Sequence, residues 1–451
     1  MTRNNPRADG WRPAGAVEGG PPAEAVSAAP KPPDSAVPFR ALLAFTLMLL
    51  IPPQTYLPVL APMRAALIAA VVAIFTHLFD RFVHRQPLIV LSREIRIVLA
   101  LVGWAILTLP FSYWPGGSVN FLLGFYFKTI AIFWLVGATV TTVGRLRQVA
   151  WALSLMAAPL AASAVKEYLS GSFFRGRIVG FDAPLTGNPN DLALMLNLIL
   201  PLTLALVVLQ RRAIVRRFLL VVVFLDVTAI ILTLSRAGFL TLATTFGLYA
   251  WTFARRLGWS WVLGAAIFAV LCFSVVPHGY WDRVGTITDI NADPTGSAQN
   301  RWSDTVAAAR YVLENPVVGA GVGMNALALN QERGPTWMVV HNVFLEYATE
   351  LGIPGLVLFL MLLVASLKSA GSVQRLAAGV PGLEEVFYLA QGVRASLVAF
   401  VVSAFFYPVG YHFYFYYFAG LAIALRAVFL TDADVQRARQ ASARAAEVLT
   451  G

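Results

Sequence analysis

The sequence predicts an all-α, polytopic integral membrane protein of about twelve transmembrane helices, with one large outer loop containing amphipathic helices. Three observations lead there. Of the 451 residues, 58% are hydrophobic and only 13% charged, with a mean hydropathy of +0.70; a water-soluble domain of this size cannot hide that much apolar surface. Apolar runs close to the ~20 residues that a bilayer-crossing helix needs recur along the chain. Basic residues gather on alternate connections between those runs, the asymmetry that sets orientation in a membrane.

Residues 1–37 are rich in Pro, Ala, Gly and charge and nearly free of large apolar side chains. Such a segment cannot bury enough surface to order itself, and it reads as a disordered cytoplasmic extension. It lacks the basic-then-apolar pattern and small-residue cleavage site of a signal peptide. The membrane domain follows at 38–431. Its twelve runs fall near 41–60, 62–79, 98–114, 119–141, 147–166, 189–209, 216–234, 236–254, 259–277, 353–368, 387–408 and 411–430, the first pair interrupted by Pro52 and Pro53. Residues 432–451 read as a cytoplasmic tail.

The connections carry Arg81, Arg85, Arg93 and Arg96; Arg145 and Arg147; Arg211, Arg212, Arg216 and Arg217; Arg255 and Arg256; then Lys368 and Arg375. Arg437, Arg439 and Arg444 are in the tail. With twelve helices all of them share the side of the N-terminus, so the net charge of +11 reflects cytoplasmic loops rather than nucleic-acid binding. The single cysteine, Cys272, cannot form an intramolecular disulfide, and no Cys/His cluster has metal-ligand spacing. There is no solenoid-type repeat.

Two polar segments remain for the outer face, 167–188 and about 278–350. The first holds Arg175 and Arg177, then Asn188-Pro189-Asn190-Asp191. Asn188 reads as a helix cap, Pro189 as the first helical residue and Asp191 as a complement to the exposed amides; a capped helix does not account for the two arginines before it. Ser235-Arg236-Ala237-Gly238 forms a tight outer turn. An arginine there either anchors the helix or, together with the amides of a helix N-terminus, makes a phosphate site suited to its planar fork.

Within the long segment, Trp302, Val306, Ala309 and Leu313 recur at helical spacing, predicting an amphipathic helix on the membrane surface. Arg301 and Arg310 on it face either headgroups or an anionic substrate. The helix ends at Asn315-Pro316, and Gly319-Ala320-Gly321-Val322-Gly323 reads as a flexible turn allowing close backbone approach, without dinucleotide-fingerprint spacing. His341-Asn342 then joins this segment to a membrane helix starting near Gly352. A histidine at a membrane edge is either incidental or a group that exchanges a proton near neutrality. Tyr411-His412 opens an aromatic run that suits an interfacial belt or a surface on which sugar rings stack.

Taken in order, Gly187-Asn188-Pro189-Asn190, Ser235-Arg236-Ala237-Gly238, Asn300-Arg301-Trp302, Asn315 to Gly323 and His341-Asn342 resemble the O-antigen ligase and polymerase superfamily of bacterial membrane glycosyltransferases. The likeness covers roughly residues 95 to 425. It implies an enzyme of lipopolysaccharide biosynthesis in the bacterial inner membrane, with the long loop periplasmic. The donor would be a glycan on undecaprenyl pyrophosphate and the acceptor a lipid A core or another lipid-linked glycan. By the same resemblance Arg236, Arg301 and His341 match the catalytic residues. Arg175, Arg177, Asn188, Asn190, Asn342, Arg310, Tyr411 and His412 are the expected substrate-binding residues. Arginines holding the pyrophosphate and a neutral imidazole taking the acceptor proton make a scheme that requires no metal or other cofactor.

Two other readings stand beside the ligase. A polymerase of O-antigen or exopolysaccharide shares the donor and differs only in acceptor. A twelve-helix transporter usually shows related halves and helices broken at the midplane; here the halves look unrelated, and Lys128 inside an apolar run is the main feature in its favour.

Overall fold

The structure is a computed structural model that describes residues 35–53, 59, 65–88, 90–172, 177–178, 188–256, 263, 267 and 297–450. Among these the chain is helical and contains no strand. The run at 259–277 apart from residues 263 and 267, Arg175, nearly all of the N-terminal extension and the start of the long loop lie outside the described residues.

In chain order the helices are α1 (Ala36–Leu50), α2 (Ala65–Val83), α3 (Arg93–Leu107), α4 (Pro115–Thr139), α5 (Val143–Leu169), α6 (Pro189–Leu209), α7 (Ala213–Leu232) and α8 (Arg236–Arg256). They continue with α9 (Ser297–Glu314), α10 (Asn325–Arg333), α11 (Val343–Leu376), α12 (Glu384–Ala404), α13 (Phe413–Thr431) and α14 (Ala433–Thr450). Seven of them, α2, α4, α5, α6, α11, α12 and α13, are long and apolar enough to cross a membrane. Four more of the expected spans are helices that fall short of that measure. The helix α1 has 15 residues because Pro52 and Pro53 cannot extend it. The helix α3, also 15 residues, begins at the Ser92 cap and gives way to a single 3₁₀ turn containing Pro110. Arg216, Arg217 and Asp226 interrupt α7, and threonines at 241, 244, 245 and 252 make α8 less apolar.

The core sits around α6 and α13, whose side chains are almost entirely buried; α6 packs on α12 and α13 on α4. By contrast α2 is peripheral and shows Phe75, Phe79 and Phe82 on its outer face. The tail residues from Ala433 form the helix α14, packed beside the end of α13.

One correction sets up the site. The helix after His341 starts at Val343 rather than near Gly352, with the Asn342 side chain accepting from the amides of Phe344 (2.9 Å) and Leu345 (3.0 Å). Gly352 instead breaks α11 in its interior, at φ 66° and ψ −174°. A break exposes carbonyls that have lost their intrahelical donors, and here neighbours supply replacements. Thr349 O accepts from Ala320 N (2.8 Å) and Glu350 O from Gly321 N (2.9 Å). Leu351 O accepts from the Trp104 indole (2.8 Å). The glycine-rich segment 319–323 therefore makes the expected close approach, but it is pinned by hydrogen bonds rather than flexible. Gly321 shows why glycine is needed: at φ 95° a Cβ would stand 2.1 Å from Ser112 Oγ.

Candidate active site

Where the glycine-rich segment meets the first half of α11, a cavity of about 380 Å³ opens. Its walls come from α6, α4, the 323–325 and 339–341 segments, α11 and the 407–412 connection. Phe121 and Phe125 reach it from α4, Phe125 from within a π-helical turn at Leu122–Tyr126.

Two carboxylates anchor the wall. Glu346 and Glu350 lie four residues apart, hence on one face of α11, and are 6% and 0% exposed. Glu346 Oε2 accepts from Gly410 N (2.9 Å), tying α11 to the 407–412 connection. Glu350 Oε2 accepts from Gly323 N (2.6 Å), and Oε1 accepts from the backbone (3.2 Å) and side-chain amides of Asn325. Asn325 Oδ1 in turn accepts from Val340 N (3.1 Å), the residue before His341. A connected set of hydrogen bonds thus runs from α11 to the backbone that carries the histidine.

His341 lines the cavity, with Nδ1 4.0 Å from Asp304 Oδ2. Asp304 lies on α9, and its Oδ1 pairs with Arg333 at the end of α10. Burial, then the positive charges of Arg301 and Arg333, push the imidazole from its usual 6.5 down to about 4, with a contact to the Val339 backbone opposing them. The ring is therefore neutral at physiological pH. Burial likewise lowers His412 to about 4.

The cavity brings together five of the sequence-predicted residues: His341, Asn188, Asn190, Tyr411 and His412. Asn188 caps α6 through Asn190 N (2.9 Å). Arg177 reaches the rim: Nη2 donates to Asn190 Oδ1 and Nε to Thr233 O, each at 2.9 Å. Tyr407 connects the arginines to this wall. Its hydroxyl pairs with Ser235 Oγ (2.9 Å), immediately before Arg236. Burial raises the phenol to about 12, while the Ser235 hydrogen bond and then the charges of Arg301 and Arg177 oppose the rise. Neither Arg236 nor Arg301 is among the lining residues.

Two predicted residues are placed elsewhere. Asn342 uses its side chain to cap α11. Arg310 is nine residues from Arg301, which puts it on the opposite, exposed face of α9. Arg175 lies outside the described residues. The aromatic run is mostly core: Tyr126, Tyr416 and Tyr347 share hydroxyl hydrogen bonds of 2.6 and 2.8 Å deep in the bundle. Their hydroxyls satisfy one another, so no headgroup water is needed. Trp302, Val306 and Leu313 do form an exposed apolar stripe on α9.

Residues 218–360 match the family model described as O-antigen ligase. The resemblance to the O-antigen ligase and polymerase superfamily is thereby borne out. No curated protein matches the chain. The O-antigen ligase segment runs from α7 into α11 and contributes Asn325, His341, Glu346 and Glu350 to the cavity, and it also contains Arg236 and Arg301. The lining residues from Asn188 to Asp191 and from Tyr407 to His412 lie outside that segment.

Sequence reading missed Glu346, Glu350, Asn325, Asp304, Arg333 and Tyr407. For the glutamates a signal was present: two carboxylates four residues apart leading into an apolar helix require partners. Asp304, Arg333 and Tyr407 gave none, because charged and phenolic side chains in a polar loop or at a helix end read as solvated.

Proposed function

We propose that the protein is an O-antigen ligase-type glycosyltransferase that moves a glycan from undecaprenyl pyrophosphate to a lipid A core acceptor at the periplasmic face of the inner membrane. The match of residues 218–360 to the O-antigen ligase family supports lipid-linked glycan substrates. The observation that carries the reading is the neutral His341 in a polar, aromatic-edged cavity with the Arg301 charge beside it.

In this reading Arg236 and Arg301, with Arg177, hold the pyrophosphate as charge develops on it. His341 takes the acceptor's hydroxyl proton, a step typically worth ~10²–10⁴-fold. The anionic donor offsets the arginines that depress the imidazole, so its arrival strengthens the base. Asn190, Tyr411 and His412 line the part of the cavity that receives the sugar. Catalysis is metal-independent here because guanidinium groups supply the cationic charge. Twelve spans, with the chain from 38 to 431 as one membrane domain and both ends cytoplasmic, put the cavity on the periplasmic side.

The test is purified protein given lipid-linked donor and lipid A core acceptor. Transfer that survives EDTA supports the reading; transfer lost on chelation and restored by magnesium or manganese overturns the arginine-only scheme. Deletion of the gene should leave polymerised glycan on undecaprenyl pyrophosphate, whereas accumulation of single repeat units would favour a polymerase. Cysteine at position 330 should react with an impermeant thiol reagent in spheroplasts, and cysteine at 213 or 372 should not; labelling of the second pair would reverse the orientation.

A further inference from the structure

The Asp304–Arg333 pair has no part in the scheme above, yet it is buried against the ring that the scheme makes the base. The helices α9 and α10 pack on each other and on the residue before His341 through Ala307, Ala308, Leu329 and Val340. Asp304 and Arg333 sit at this contact with side chains 6% and 7% exposed. Arg333 also donates from Nη2 to Met338 O (2.5 Å), which ties the guanidinium to the segment leading to His341. A carboxylate in such surroundings stays ionised only with a cation against it. Arg333 provides that cation on Oδ1, and Oδ2 is left pointing toward His341 Nδ1 at 4.0 Å.

We propose that Asp304 is a positioning residue for His341, a carboxylate clamped by Arg333 that keeps the imidazole proton on Nδ1 and leaves Nε2 to take the acceptor's proton. This rests on the reading of His341 as general base. At 4.0 Å the pair is about 1 Å outside hydrogen-bond range, so the hydrogen bond forms only when the ring and the carboxylate approach by that amount. The reaction then balances. The acceptor oxygen bonds to the anomeric carbon of the donor, and that carbon's bond to the pyrophosphate oxygen breaks with its electron pair leaving on pyrophosphate. The hydroxyl proton passes to Nε2, and the resulting imidazolium directs its Nδ1–H at Asp304, which stabilises the charge.

The charged and titratable groups around His341 are Arg301 and Asp304 on α9, Arg333 on α10, Glu346 and Glu350 on α11, Asp191 on α6, and Tyr407, Tyr411 and His412 on the connection to α13. Arg333 pairs with Asp304 and also helps depress the ring. Removing the Arg333 charge should therefore expose His341 to Asp304.

The experiment uses the full-length purified protein with ¹⁵N-labelled histidine; only five histidines contribute signals. In the parent protein His341 should be neutral with its proton on Nδ1. Asp304→Asn should lose that tautomer preference and lower kcat by at least about 10-fold while donor lipid still binds. Arg333→Gln should shift the His341 titration upward. Because each single change orphans a buried charge, the double variant Asp304→Asn/Arg333→Gln serves as the folding control. It should fold, bind donor and keep both the kcat loss and the altered tautomer. A double variant with parental kcat and parental tautomer would reduce Asp304 to a structural partner of Arg333 and overturn the proposal. Should His341→Ala retain full transfer, the base assignment fails instead, and the tautomer measurement on Asp304→Asn still reports separately on whether Asp304 orients the ring.

Discussion

Glu346 commits one carboxylate oxygen to Gly410 N–H, and Glu350 commits both of its oxygens to N–H groups of Gly323 and Asn325. His341, by contrast, stands 4.0 Å from the Asp304 carboxylate, and burial followed by the charges of Arg301 and Arg333 sets its proton affinity. All three groups line one cavity, yet the glutamates are fixed and the histidine is adjustable. Carboxylates that accept several N–H bonds hold loops in register and are costly to remove. A ring whose proton affinity follows nearby charge can change state when an anion arrives. Burial of a charged group is thus a poor guide to its role; where its hydrogen bonds go is a better one.

The sharpest test of this contrast is Glu350→Ala. It orphans three N–H donors and releases the 323–325 segment, so the folded protein should lose about 3 kcal/mol or more, read as a fall in thermal midpoint in detergent and in membrane abundance. If abundance and midpoint stay normal while transfer vanishes, Glu350 belongs with the reacting groups. His341→Ala should do the opposite: a normal thermal midpoint and donor binding, with transfer reduced by at least ~10²-fold. Loss of donor binding as severe as in Arg301→Ala would move the histidine into the phosphate site. For the arginines, Arg236→Lys keeps the charge but loses the bidentate fork, and transfer should stay strongly impaired at normal protein level; near-parental activity would make Arg236 a simple anchor.

The effect of pH is smaller and directional. Folding lowers the His341 pKa to about 4, so the unfolded chain takes up a proton first as pH falls through 6.5. Stability contributed at this site is fully present above pH 6.5 and declines down to about 4. Its effect on rate should differ between constants: kcat/KM should hold to well below pH 6.5, and the acid limb of kcat should lie higher because bound pyrophosphate offsets the arginines. Coincident limbs in the two profiles would show that the donor's charge does not reach the ring. At the small end, Asn342→Ala removes the α11 cap and should cost about 1 kcal/mol with little change in transfer; a large loss of transfer would give Asn342 a substrate role after all.

Much of the architecture was legible because it follows from local rules. Long apolar runs become helices in any membrane protein, Asn188-Pro189 starts a helix through its cap and proline, and the spacing of Trp302, Val306 and Leu313 defines a face. Pro52 and Pro53 announced the interruption after α1 and did stop it. Of the site, His341 stood out by residue type and by its place at the edge of an apolar helix. Everything that depends on long-range partners was hidden. Val343 to Leu351 looks like polar linker until Gly323, Asn325 and Gly410 arrive to take up the glutamates. Gly352 looks like a helix start until Ala320, Gly321 and Trp104 satisfy the carbonyls that its break exposes. The sequence by itself determined where helices form, because capping and apolar length act within a few residues of chain. Only the tertiary structure decided which charges are neutralised and which titrate, because that depends on donors and acceptors brought together across the bundle.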